Sequence, residues 1–539
     1  MATAFAQGLA ERLAEDLAKR LTFSTTPHKV VCMGELLCGS LVLPRFYGLR
    51  GFSPCWITDN GVTKQALHLV QAIRGAEFEG FNPQDYHLGV IESLLKKLHN
   101  PNVKTASIPV ENMLELELLL TDAFFLYSSH LTAGRVNPET IHTEWTINTQ
   151  KVDLVQLLHN SIDMGQIVNA MKTVQQQSHE YRRLKKALVK YKEITENGGW
   201  PPIPKGPSMK KGDMGGRIAM LRSLLITLYD LRQSVGTDPD FFGDALKSAV
   251  LKFQRRHGLA QDGIVGRATL SALNISAEDR LKQIKVNMER RRWLHRDFGA
   301  RYLLVNIADF QLTVIEKRSS VLNMRVVVGK DYRRTPVFEG EMTYMVINPY
   351  WHIPHKLARE DFLPLIKKNP NFVKSKNFRV YESWKDGAPE IEPESVNWRV
   401  IDKKNFSYKL VQEPGPLNAL GRIKFIFPNK FSVYLHDTPA RHLFNMTKRN
   451  FSSGCIRIEK PIELAAYLLR NDPNWTRQKI RNAIDSLERQ VVRLPEPIAI
   501  RILYFTAWVD EAGMVHFRND VYWRDKLLAE AFEEKPPVR

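Results

Sequence analysis

At 539 residues the chain is too long for one ordinary domain, and with 43% hydrophobic and 25% charged residues its composition excludes neither an enzyme nor a binding module. Its 77 Lys plus Arg against 58 Asp plus Glu leave a net charge of +19, which favours anionic partners: nucleic acid, anionic lipid or a carboxylate-bearing polymer. Four cysteines exclude a disulfide framework, and no C-x-x-C, H-E-x-x-H or other zinc-like spacing is present.

Residues 5–21 carry Leu9, Leu13, Leu17 and Leu21 among Glu11, Arg12, Glu15, Asp16, Lys19 and Arg20, which predicts an amphipathic helix and no secretory signal. The apolar run 30–43 is interrupted by Glu35 and is shorter than the ~20 residues of a membrane span. Cys32, Cys38 and Cys55 cluster there, where a pair could bridge; Cys455 stands alone. Periodic apolar patterns at 63–75, 110–130, 152–175 and 178–195 make 1–200 a helical scaffold without a catalytic constellation. The basic runs 182–186 and 290–292 carry no nucleic-acid-binding signature and read as solvated faces. A breaker-rich linker, 198–204, leads into a compact module at 205–275 with helices at 216–229 and 244–257, and a basic helix at 277–294 connects onward within 276–300.

Texture then changes to short β-rich runs at 302–307, 311–316, 322–328 and 342–347, predicting a sheet domain over 301–490. His352, between Trp351 and Ile353, reads as a packing residue. Residues 355–415 interrupt the sheet pattern with a helix and polar loops, long enough to form a lid. The pattern returns at 418–425 and in a strand at 431–435 leading to His436; two helices follow at 462–469 and 475–488, and the 491–539 segment reads as scaffold with a closing hairpin of 498–508 and 514–517.

One stretch carries chemistry. Cys455 follows Ser452, Ser453 and Gly454, with His436 upstream on the predicted strand. A thiol attacks as thiolate, and at a pKa of about 8.5 it needs a base; a histidine near 6.5 can take the proton and return it to a leaving amine. Gly454 lets backbone amides approach a reacting carbonyl oxygen. The alternative reading is a buried core thiol and a hydrogen-bonded strand-end histidine.

His436, sixteen intervening residues, then Ser453, Gly454, Cys455 and Arg457 resemble the signature of the L,D-transpeptidases, cysteine enzymes that cross-link peptidoglycan stem peptides. Residues 46–52, 80–88 and 134–138 are similar to the N-terminal scaffold of the large multidomain members, and 253–259 with 262–270 are similar to a peptidoglycan-binding domain, which in some enzymes is only a spacer. The resemblance implies a multidomain α+β fold: helical scaffold, small helical binding module, and a β-rich catalytic domain whose 355–415 insertion caps the substrate. It implies Cys455 as nucleophile and His436 as base, the latter oriented by the backbone carbonyl of Asp437. The amides around Gly454 and Cys455, with Tyr434 nearby, would stabilise the oxyanion, and Arg457 and Ser453 would bind substrate. Arg457 equally suits a structural ion pair. Many relatives carry histidine where this chain has Ser453, which leaves His436 as the base of the motif; His442 is the other local imidazole. The implied reaction forms 3→3 cross-links between meso-diaminopimelate residues through an acyl-enzyme with release of D-alanine. No metal or cofactor is expected. The expected partners are peptidoglycan stem peptides and glycan, other cell-wall synthases and carbapenem-type covalent inhibitors, with no nucleic acid, in a periplasmic setting reached by a processed chain. The rival readings are an L,D-carboxypeptidase or endopeptidase at the same site and a non-catalytic wall-binding protein.

Overall fold

The computed structural model describes residues 8–22, 30–33, 35–98, 109–142, 145–146, 152–176, 178–233, 238–295 and 297–534. Its first core is helical. Helix α1 (Val110–Ala133) is apolar on nearly every side and therefore sits at the centre of the scaffold, with Leu116, Leu118, Leu119, Leu120 and Phe124 fully buried. Two acids on it are cut off from water and serve as backbone acceptors. Glu117 receives the amides of Cys55, Trp56 and Ile57 at 2.7, 2.9 and 3.1 Å. Asp122 receives those of Cys38 and Gly39 at 3.2 and 2.5 Å and lies 2.8 Å from His87 Nε2. The irregular chain between 38 and 57 is thereby tied down without a covalent link, since Cys32, Cys38 and Cys55 are all free thiols. The N-terminal pattern is a helix over Leu9–Leu21; residues 5–7 of that expectation lie outside the described residues.

The small module wraps helices Gly216–Thr227, α2 (Asp244–Arg256) and Arg267–Leu273 around Leu221, Leu225, Leu246, Val250 and Phe253. Gln254 explains its helix-end motif. Its side-chain amide donates to Asp262 Oδ1 at 2.8 Å and to the Ile264 carbonyl at 3.0 Å while its oxygen accepts from the Gly263 amide at 2.9 Å, clamping the following turn.

The sheet of the β-rich domain is built from β1 (Arg301–Asn306), β2 (Gln311–Glu316), β3 (Ser319–Gly329), β4 (Val337–Ile347), β5 (Ile423–Ile426), β6 (Leu435–His436), β7 (Ile456–Ile458) and β8 (Gln490–Leu503). The hydrogen-bonded order is β5-β6-β7-β3-β2-β1-β8-β4, and β5 pairs with β4 as well, so the eight strands close on themselves. Closure gives every strand an inner and an outer row. Leu303, Val305, Leu312, Val314, Val326, Val328, Phe425, Leu435, Ile456 and Ile458 form the inner row and one continuous core. The expected α+β class is the one observed.

Four local expectations change. Residues 498–508 are not half of a terminal hairpin: Ile498, Ile500 and Ile502 point into the core and β8 closes the ring, parallel to β1 and antiparallel to β4, leaving only Ala507–Val509 paired with Val515–Phe517 outside it. The strand expected at 431–435 is shortened to Leu435–His436. Asn429 Oδ1 there accepts the amides of Phe431 and Val433, both at 3.1 Å, and Ser432 takes a φ of +54°, so the chain turns before it pairs. The 355–415 insertion has strands of its own, 378–381 between 390–391 and 409–412, with 409–412 also pairing Trp351–His352, over a core of Ile353, Leu363, Ile366, Val380 and Leu410. The basic run 290–292 is not a solvated face. Arg290 and Arg292 are buried, paired with Asp525 at 2.5 Å and Glu289 at 2.7 Å.

Those arginines sit on helix α3 (Ala277–Arg292), which joins scaffold to barrel: Val136, Trp145, Val286 and Trp293 belong to the barrel's own core. Glu289 also accepts the Val136 amide at 2.8 Å. At Gly134 the backbone has φ +84°, and a Cβ there would overlap Glu289 and Trp293. Gly134→Ala is expected to cost about 2–4 kcal/mol, from the left-handed backbone plus the overlap, read as a lowered urea midpoint of the transition that reports Trp293.

Candidate active site

The outer row of the barrel at β5, β6 and β7 gathers the chemistry. Lys424 on β5 stands opposite His436 on β6, and His436 opposite Arg457 on β7, one cross-strand row. One step along, Tyr434 faces Cys455, the pairing being held by the Ile456 amide on the Tyr434 carbonyl at 3.1 Å. Leu435 and Ile456 between them point inward, and this alternation puts Tyr434, His436, Cys455 and Arg457 on a single face.

Cys455 is half-buried, and its thiol faces the Ser432 carbonyl at 3.9 Å. Among the described residues no hydrogen bond joins it to His436. The two are diagonal cross-strand neighbours, a relation that places Cα atoms about 7–8 Å apart and the side chains within reach of each other. Burial pushes the thiol pKa up, opposed by hydrogen bonds from the Tyr434 amide and hydroxyl and by the charges of Lys424 and Arg457. Burial likewise pushes Tyr434 well up and keeps its hydroxyl a donor.

His436 is buried, with Nδ1 2.5 Å from the Asp437 carbonyl. A proton on Nδ1 satisfies that contact and leaves Nε2 as the free base. Burial first, then Arg457 and Lys424 on either side, hold its pKa down to about 3, against the pull of the Asp437 and Leu420 carbonyls. The resting pair is therefore neutral thiol and neutral imidazole. Asp437 itself is anchored by its carboxylate, which accepts the Arg422 amide at 2.9 Å and meets Arg441 at 3.2 Å.

The loop that carries Cys455 is held from several directions. Gly454 has φ +116°; its carbonyl accepts from Thr335 Oγ1 at 2.8 Å, and its amide donates to Ser452 Oγ at 3.2 Å. That amide, expected to face an oxyanion, is occupied in this arrangement. Ser452 Oγ also donates to the Cys455 carbonyl at 2.5 Å. Ser453 is exposed and accepts from Arg333 Nη1 at 3.2 Å, and Arg333 pairs with Asp361 at 2.5 Å and Glu360 at 3.2 Å on the insertion. Arg333 thus bridges the Cys455 loop, through a hydrogen bond, to the insertion, through ion pairs.

Arg457 is half-buried; its Nε has no hydrogen-bond partner, and among the described residues no carboxylate pairs with it, which sets aside the structural ion pair. Sequence reading missed Lys424, Ser452, Thr335 and Arg333. Lys424 alternates with the core residues Ile423 and Phe425, a signal that was available; the other three are brought in by the fold. His442 is exposed on the 441–445 turn, and His352, expected to pack, is exposed and feels the charges of Lys409, Lys424 and Arg489. Among the described residues no cluster of His, Cys, Asp or Glu is arranged to hold a metal ion.

A closed, β-rich domain with a cysteine, a histidine and two cations that no described carboxylate pairs on its outer row, carried behind a helical scaffold and a small helical module, defines a multidomain α+β protein. Comparison with known families matches residues 300–476 to the L,D-transpeptidase catalytic domain, 42–188 to the Scaffold domain and 215–273 to the peptidoglycan binding domain. Residues 300–476 are thus similar to an L,D-transpeptidase catalytic domain, set behind regions similar to a scaffold domain and a peptidoglycan binding domain. It is similar to a Haemophilus influenzae protein described as "Putative L,D-transpeptidase", 34% identical over 226 residues, 42% of this chain and 45% of that relative; the chain thus spans under half of the relative's length. Among solved structures it is similar to an L,D-transpeptidase from Xylanimonas cellulosilytica (15% identity, 56% of this chain, 100% of that one, TM-score 0.18) and one from Stackebrandtia nassauensis (13%, 56%, 96%, TM-score 0.21). At these scores the superpositions add nothing to the fold described above.

Two outcomes are expected from this geometry. Gly421 has φ +62°, and a Cβ there would overlap the Asp437 side chain; Gly421→Ala should displace the Asp437 carbonyl from His436, lowering kcat by about 100-fold, as misplacement of a catalytic group does, with the thiol still titratable. Second, the unfolded chain protonates His436 near 6.5 whereas the folded one does so only near 3, so the unfolded state binds the extra proton in between. This cost is absent above the upper value and grows as pH falls through that window. In urea titrations His436→Gln should lose less stability than the parent between pH 6.5 and 3.

Proposed function

We propose that the protein is a peptidoglycan L,D-transpeptidase forming 3→3 cross-links between meso-diaminopimelate residues. The observation that carries this reading is the single outer row in which a neutral His436, fixed by the Asp437 carbonyl, lies beside Cys455 and an unpaired Arg457. In the first half-reaction His436 Nε2 takes the Cys455 proton as sulfur attacks the carbonyl between diaminopimelate and the terminal D-alanine of a donor tetrapeptide. The oxyanion faces the Cys455 amide and the Tyr434 hydroxyl; losing one such donor typically costs about 3 kcal/mol. The C–N bond then breaks, His436 returns the proton to the departing D-alanine nitrogen, and a thioester remains. In the second half the side-chain amine of another stem attacks the thioester, His436 takes its proton, and the thiol is regenerated. Arg457 pairs with a substrate carboxylate in a geometry suited to a guanidinium.

The 355–415 insertion acts as the lid, seated through Arg333, and excluding water favours an amine acceptor over hydrolysis. Ser453 lies against Arg333 and contributes to that seat as well as to the substrate rim. The domain plan of 1–200 scaffold, 205–275 wall-binding module, 276–300 connector, 301–490 catalytic domain and 491–539 terminal segment is part of this proposal, with β8 added to the catalytic unit. We place its work in the cell envelope, on stem peptides and glycan, in the periplasm, beside other cell-wall synthases. Carbapenems would acylate Cys455. No described helix is long and apolar enough to cross a membrane.

Incubation with tetrapeptide muropeptides and mass spectrometry of the products tests the reading. Cross-linked dimers with loss of D-alanine are expected, and Cys455→Ala should abolish both dimers and a carbapenem adduct. Shortened monomers alone would replace transferase by L,D-carboxypeptidase, and unchanged material would leave a wall-binding protein.

A further inference from the structure

Lys424 is the one member of the outer row that this mechanism leaves without a task. Its side chain is half-buried on β5 with inward-facing Ile423 and Phe425 on either side. Its Nζ lies 3.8 Å from the centroid of the Tyr434 ring, the ring whose hydroxyl meets the nucleophile. Around it are His436 on β6, Val346 on β4 and the charges of Arg489 and Cys455; none is a carboxylate. Among the described residues no acid pairs with Lys424 or with Arg457, although acids pair with most other buried cations here, such as Arg256 with Asp230 and Arg292 with Glu289. A partly desolvated ammonium resting only on an aromatic face carries an uncompensated burial cost, which lowers its pKa. Two such cations, opposite each other across His436 and one step from Cys455, leave a gap that a dianionic substrate would fill.

We infer that Lys424 determines donor specificity by holding a second free carboxylate of the stem peptide, on the side of His436 opposite Arg457. This rests on the acyl-transfer reading. The donor tetrapeptide presents two carboxylates near its scissile bond, that of the terminal D-alanine and the side-chain-centre carboxylate of diaminopimelate. The site should therefore select stems with both acids free over stems in which either is amidated. A role for Lys424 limited to lowering the Cys455 pKa would change kcat and the pH profile of thiol alkylation and leave KM indifferent to amidation.

The test is a cycle of enzymes and donors. Wild type, Lys424→Gln and Lys424→Arg are assayed by D-alanine release with three synthetic tetrapeptides: diacid, diaminopimelate carboxamide and C-terminal carboxamide. In wild type each amidation should raise KM about tenfold or more, the scale of a lost charge-assisted hydrogen bond. Lys424→Gln should raise KM similarly on the diacid and add nothing further on one of the two amides, and Lys424→Arg should restore most of the diacid KM. Equal KM for the three donors in wild type overturns the inference even if Lys424→Gln does not fold, as does a Lys424→Gln penalty that persists in full on both amides. Absence of D-alanine release by wild type from the diacid overturns instead the acyl-transfer reading on which it stands.

Discussion

The parallel pairing of Leu435–His436 with Ile456–Ile458 is the constraint on which the site depends. Leu435, Ile456 and Ile458 must enter the barrel core, and strand alternation then forces Tyr434, His436, Cys455 and Arg457 outward together. A slip by one residue would bury a guanidinium and an imidazole and expose three core side chains, so the register is enforced by the whole apolar interior. Closure of the ring through β4 and β5 secures the other flank and brings Lys424 into the same row.

Electrostatics follow from that placement. Among the described residues no carboxylate pairs with this row of cation, imidazole and cation, whereas an acid paired with the imidazole would raise its pKa. The orienting group is a backbone carbonyl, able to fix the Nδ1 tautomer without supplying a full negative charge. Burial and the flanking cations keep His436 neutral, while the positive potential around Cys455 favours negative charge appearing at sulfur.

Much of this was legible in the chain. The helical, small-module and β-rich textures marked the class of fold, and the spacing from His436 to Cys455 drew attention to one loop. What sequence could not supply was long-range pairing. Nothing in Arg333 announces that it will reach Ser453 and Asp361, nor in Arg290 and Arg292 that they will be buried, because each depends on partners 28 to 235 positions away or on ring faces such as Phe81, 4.1 Å from Arg292. The strand before His436 was overread for the opposite reason: the apolar pattern of 431–435 was genuine, and a purely local device, the Asn429 side chain, turned it into a loop.

The shared core at α3 bears on what kind of object this molecule is. Val136, Trp145, Val286 and Trp293 enter the barrel from before residue 300, and a second cluster packs Tyr181, Leu188, Ile284 and Met288 on Val509, Val515 and Phe517. On the binding module, Arg256 meets the same terminal hairpin, its guanidinium on the Val515 carbonyl at 3.4 Å and its own carbonyl on Arg518 at 2.9 Å. Parts that sequence families treat as interchangeable modules are here welded through common interior surface. A chain severed at residue 300 would leave an apolar wound on the barrel.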